Sequence, residues 1–170
     1  MDHSFIIGNL EKNQTTFHGL LSDIQESEYL FRPAAGKWCL LEIVCHMYEE
    51  EIYDFGARVK HTLEKAVGDL QKIDPEGWVK SKGYVDWNYN ETLDNFLNER
   101  KRSVKWLRSL KDPEWKNEYV HPKFGGMSAE FFLTNWLAHD YLHFRQITFT
   151  KYNYLKQISG GIDIQYAGEW

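Results

Sequence analysis

Four stretches of this chain repeat their apolar residues at helical spacing, and none sustains the alternation of a strand. The first runs from about Ser4 to Gln25, with Ile6, Leu10, Phe17, Leu20, Leu21 and Ile24 on one face. Pro33 and Gly36 punctuate the segment that follows. The second extends from near Trp38 to about Val67, with Leu41, Val44, Tyr48, Ile52, Phe55, Val59 and Leu63 as its stripe. Gly56 lies inside it, at a cost of about 1 kcal/mol relative to Ala. The third covers about 91–110 behind Asn90 as N-cap and carries Leu93, Phe96, Leu97, Val104 and Leu107. Ser128 caps the fourth, which reaches about Lys156. Residues 68–89 and Asp112–Met127 form connections longer than usual loops. The aromatic residues Trp78, Tyr84, Trp87 and Tyr89 in the first connection read either as satellite core or as a lid over a pocket. Four amphipathic helices with two long connections imply an all-α four-helix bundle. The 170 residues match the size of one domain, 1–170.

A net charge of −5 gives the chain no basic footprint for nucleic acid or anionic lipid. The run Arg100-Lys101-Arg102 with Lys105 and Arg108 reads as a solvated helix face beside Glu99. No stretch approaches the roughly 18 apolar residues that span a bilayer, and Met1-Asp2-His3-Ser4 lacks the features of a signal peptide. On one helix, Cys39 and Cys45 are separated by about 9 Å of rise, too far for a disulfide. A reduced, cytoplasmic protein is expected, without a nucleic-acid or membrane partner.

The fourth helix carries the chemistry. At 100° per residue, Phe132, Trp136, His139, His143 and Ile147 fall within about 80° of one another, so both histidines share the buried face one turn apart. This i, i+4 spacing presents two imidazoles to one metal ion. It equally suits two core histidines hydrogen-bonded to their neighbours. A third ligand must come from another helix, and His46 is the candidate. It sits about 140° from the main stripe of its helix, which by itself suggests a partly exposed histidine. Ile43 and Cys39 flank it and open the alternative of a pocket buried on two sides. His3, His18 and His61 show no partner pattern.

Arg100 and Asp140 interrupt apolar stripes, which is costly unless they are paired. An Arg100–Asp140 salt bridge is one account. In the other, Arg100 clamps an anionic substrate group and Asp140 accepts a hydrogen bond from a ligand histidine.

The segment Phe31-Arg32-Pro33-Ala34-Ala35-Gly36-Lys37-Trp38, followed by a helix bearing His46 and Glu51, resembles the DinB/YfiT-like superfamily. So does His121-Pro122-Lys123-Phe124-Gly125 with the later block Trp136-Leu137-Ala138-His139-Asp140-Tyr141-Leu142-His143-Phe144-Arg145-Gln146-Ile147. Arg100 matches an arginine that recurs in the family's third helix. The resemblance runs in one order over about residues 5–150. The final Gly168-Glu169-Trp170 is loosely similar to a family tail and carries no weight. Cys39 stands where the family has Ser or Thr, which weakens the cap of the second helix.

The resemblance implies an up-up-down-down bundle with long crossover connections, and a homodimer. It also implies a divalent metal ion, zinc or nickel, on His46, His139 and His143. The implied activity is hydrolysis or thiol transfer on a small-molecule substrate, with a low-molecular-weight thiol as co-substrate in the second case. Glu42 and Glu49, on the His46 side of the helix, are the candidate proton acceptors. The alternative is a non-catalytic stress-response protein that binds metal or a small ligand.

Overall fold

The computed structural model describes residues 1–168; Glu169 and Trp170, the end of the tail named above, lie outside the described residues. Asp2 accepts a hydrogen bond from the Phe5 N–H and starts α1, His3–Leu21. A single turn follows, α2, Glu26–Tyr29. Next come α3, Leu40–Tyr53, and α4, Phe55–Leu63, two helices where the periodicity predicts one. The break is Asp54, whose backbone leaves the helical region at φ −110° and ψ −99°. After α5, Pro75–Ser81, Asn88 caps α6, Tyr89–Ser109, two residues ahead of the expected Asn90. The strands β1, Glu118–His121, and β2, Gly125–Ser128, pair antiparallel with Glu118 opposite Ser128. This small hairpin occupies a connection for which no strand was expected. Ser128 then caps α7, Ala129–Ile158, by accepting from the Phe131 N–H, as its position predicts.

The four long elements α1, α3–α4, α6 and α7 form the expected bundle, and cross-links between them give its directions. His3 meets Glu130, Asn13 meets Asp140 and Ser27 meets Tyr154, so α1 and α7 run parallel. Gln14 bonds to the Leu97 carbonyl and the Tyr89 hydroxyl to that of Leu21, so α6 runs antiparallel to α1. Trp136 bonds to Glu51 while His139 and His143 lie beside His46, so α3–α4 runs antiparallel to α7. The order is therefore up, down, down, up, in place of up-up-down-down. The cause lies in the connections. The segment between α1 and α3 stays at one end of the bundle, so α3 must return. Residues 64–88 travel the bundle's length, so α6 repeats the direction of α3–α4.

That crossover packs on the outer face of α3, where Tyr84 is fully buried and Cys45 faces its carbonyl. Its aromatic residues are satellite core, with Trp78 and Trp87 packed against the cluster that contains Tyr84 and Tyr89. The core falls into two apolar clusters. One joins the end of α1 to the starts of α3 and α6 and to Ile147. The other joins the start of α1 to α4, the end of α6 and the first half of α7. Gly56 serves the second. A Cβ there would lie 3.1 Å from the Trp136 ring and 3.2 Å from the Glu51 carbonyl, so a larger residue would require its neighbours to give by a few tenths of an ångström where α4 meets α7. Among the described residues no helix is long and apolar enough to cross a membrane.

Candidate metal centre

Between the two clusters lies a layer of buried charge. Arg100, 2% exposed, donates from Nε to both Glu51 carboxylate oxygens at 2.9 and 3.0 Å. Its terminal nitrogens donate to the two Asp140 oxygens at 2.7 and 2.8 Å. Asn13 and the Trp136 indole complete the layer, donating to Asp140 and Glu51 respectively. Every fork of the guanidinium is thus committed inside the protein, and among the described residues neither Arg100 nor Asp140 lines either of the two cavities that reach the histidines. This corrects the view of Arg100 as a substrate clamp: the salt-bridge alternative is the one the structure displays, with Glu51 as an additional partner. Burial raises the Glu51 pKa, while Arg100 opposes that shift.

One turn from this layer, α3 and α7 bring His46, His139 and His143 together. The Nε2 atoms of His46 and His139 are 3.2 Å apart, and those of His143 and His139 are 3.0 Å apart. His46 is 5% exposed and His143 7%. Burial, reinforced by the neighbouring imidazoles, pushes the His46 pKa down to about 3 and that of His139 to about 2. Burial also lowers His143 to about 4 against the opposing pull of Gln146 and Asp140. The rings are neutral at physiological pH.

Three neutral imidazoles whose Nε2 atoms converge cannot all be satisfied by one another, because each nitrogen offers either a proton or a lone pair. Imidazole nitrogens bound at 2.0–2.1 Å to one tetrahedral zinc ion stand about 3.3 Å apart, close to the separations seen here. The donor set therefore fits a divalent ion of this kind. Coordination through Nε2 leaves the proton on Nδ1, and the Nδ1 atoms of His46 and His143 are buried with no hydrogen-bond partner among the described residues. His46 Nδ1 lies 3.9 Å from Glu50 Oε1, which is also buried and unpartnered. A shift of about 1 Å would join them in the hydrogen bond that orients a ligand histidine.

Glu50 is the carboxylate that inspection of the sequence missed; its signal was the i, i+4 spacing from His46. The expected proton acceptors are engaged elsewhere. Glu42 takes a two-pronged contact from Arg32 at 2.6 Å and accepts from the Cys39 N–H, completing a capping box in which the Cys39 side chain faces the Glu42 N–H at the start of α3. Glu49 pairs with Lys82. His3, expected to lack a partner, pairs with Glu130 at 3.0 Å and stacks on Trp115.

Titration of these groups shapes the stability of the metal-free protein. Below the unfolded histidine pKa of about 6.5, the three rings are protonated in the unfolded chain and neutral in the folded one. Each then removes stability at about 1.4 kcal/mol per pH unit as pH falls towards its folded value. Burial raises the Glu50 pKa to about 9, so the fold retains a proton there that the unfolded chain gives up, and stability declines as pH rises towards 9. Denaturant melts of chelated protein are expected to show a maximum near pH 6.5; stability still climbing between pH 7 and 9 would contradict these assignments.

A cavity of about 800 Å³ opens beside His139 between α4, α7 and the hairpin. Phe55, Phe124, Phe131, Phe132 and Leu70 give it an apolar wall, and Asp54, paired with Arg58, lies on its rim. Its volume is that of a small-molecule site.

A family model for the DinB superfamily matches residues 9–147. Among solved structures, YfiT from Bacillus subtilis, described as a probable metal-dependent hydrolase with an unusual four-helix bundle topology, superposes with a TM-score of 0.76 at 19% identity. The match covers 87% of this chain and 85% of that one. At that identity the likeness speaks for the fold. No curated protein matches the sequence.

Proposed function

The chain belongs to the DinB superfamily, and from that premise we propose that it is a metal-dependent enzyme acting on a small apolar substrate, with His46, His139 and His143 as its metal ligands. One observation carries the reading: the buried His46 and His143 and the half-buried His139, all neutral, bring their ligand nitrogens within 4.8 Å of one another beside an open cavity. A divalent ion there, zinc or nickel, supplies the Lewis acidity that makes water or a thiol nucleophilic near neutral pH. The protein's own groups do the rest. The aromatic walls take up the substrate and exclude water from it. Glu50 holds the His46 ring in the ligating tautomer. The Arg100 layer fixes the register of α3 against α7, and with it the spacing of the three rings. The description of YfiT as a probable metal-dependent hydrolase supports the hydrolytic form of this reading; transfer of a low-molecular-weight thiol is the other form.

Two assays separate them. Hydrolysis of 4-nitrophenyl acetate tests the first. Displacement of chloride from 1-chloro-2,4-dinitrobenzene by a small thiol tests the second. One of the two is expected to require zinc or nickel and to vanish in His143→Ala. Rates that survive both chelation and His143→Ala would reject the enzyme reading.

A further inference from the structure

A second cavity, of about 350 Å³, reaches the histidine cluster from the other side of α7. His143 lines this one and His139 the larger one, while Leu142 lines both and forms the ridge between them. The two differ in charge. Asp54 and Asp69 balance Arg58 and Lys72 around the larger cavity. Lys37 and Arg145 line the smaller one without any Asp or Glu. Neither cation has an ion-pair partner among the described residues, although every other Arg in the surrounding layers is committed to a carboxylate. Trp38 and Phe149 supply flat apolar walls beside these charges. The Trp38 ring also lies 5.0 Å from that of His46, so an occupant resting on Trp38 borders two of the three histidines.

We propose that this smaller cavity is an anion subsite, in which Lys37 and Arg145 hold the carboxylate or phosphate of a small ligand whose apolar part lies against Trp38 and its other end at His143. The clamp that the sequence suggested for Arg100 thus belongs to two surface cations of the Pro33–Trp38 turn and of α7. An arginine fork pairs with either oxyanion through two N–H donors. An acid-free rim between low-dielectric walls concentrates the field of both cations on the opening. The proposal rests on the metal-centre reading only for what the ligand reaches, not for how its anion is held.

Calorimetric titrations of the full chain with benzoate and with phenyl phosphate test it, each run on zinc-loaded and on chelated protein. Benzyl alcohol serves as the uncharged comparison. At least one of the two anions is expected to bind both forms of the protein, more tightly than benzyl alcohol, and the tighter anion identifies the preferred head group. Lys37→Gln and Arg145→Gln should each weaken binding roughly tenfold, about 1.4 kcal/mol, while Lys101→Gln leaves it unchanged. Binding that needs zinc and ignores both substitutions would assign the anion to the metal and overturn the subsite. So would equal affinity for benzyl alcohol, or no detectable binding of either anion. A chain that binds an anion through Lys37 and Arg145 but takes up no zinc would retain the subsite and refute the metal centre instead.

Discussion

Arg100→Met is expected to destabilise the protein by about 3–5 kcal/mol, the usual consequence of removing one partner from a buried ionic group. In a chain of this length that corresponds to roughly 6–20 °C in Tm. The cause is the pair of carboxylates left behind. Glu51 and Asp140, each 2% exposed at the side chain, would face one another without the guanidinium that neutralises them. Because Arg100 serves two acids, Arg100→Met with Asp140→Leu still leaves Glu51 uncompensated. Only adding Glu51→Met should recover most of the loss. Thermal melts of the single, double and triple variants check this. A double variant as stable as the triple would mean that Glu51 contributes nothing to the layer.

The second large effect concerns the histidines. Loss of a group that merely orients a metal-bound histidine costs about 10–100-fold in affinity, so loss of a ligand should cost more. His46→Ala, His139→Ala and His143→Ala are each expected to weaken zinc or nickel binding at least about a hundredfold. His61→Ala should not. Competition titrations against a chromophoric chelator measure the difference. Circular dichroism should show each variant still helical, since both apolar clusters form without any of the three rings. Binding that His46→Ala leaves unchanged would remove α3 from the site.

Periodicity was enough to expect the bundle and to put His139 and His143 on one buried face, because both depend on spacing within a single helix. It could not give helix direction: an apolar stripe looks alike in either sense, and the connections decide it, above all the path of residues 64–88. That same path explains why His46 looked half exposed. A stripe argument assumes one buried face, yet from Cys39 to Met47 every residue of this helix is buried, because the crossover and Tyr84 cover the side away from the bundle. Family resemblance, not periodicity, favoured His46 as a ligand over a partly exposed histidine. The helix break had no signal in the apolar pattern, which continues from Ile52 through Phe55 to Val59 across Asp54. Glu51, named only as part of the family motif, was not expected as a partner of Arg100 for a related reason. A carboxylate in the run Glu49-Glu50-Glu51 reads as a solvated face until the guanidinium that neutralises it is seen two helices away.

The central claim is that these three imidazoles are ligands of one ion with room left for a substrate. X-ray absorption at the zinc edge, on protein purified without an affinity tag and loaded with one equivalent of zinc, tests it most directly. The account predicts three imidazole nitrogens at about 2.0–2.1 Å, completed by a lighter oxygen shell from solvent, with one nitrogen lost in His139→Ala. A spectrum without imidazole scattering, or one that His139→Ala leaves unaltered, would contradict it.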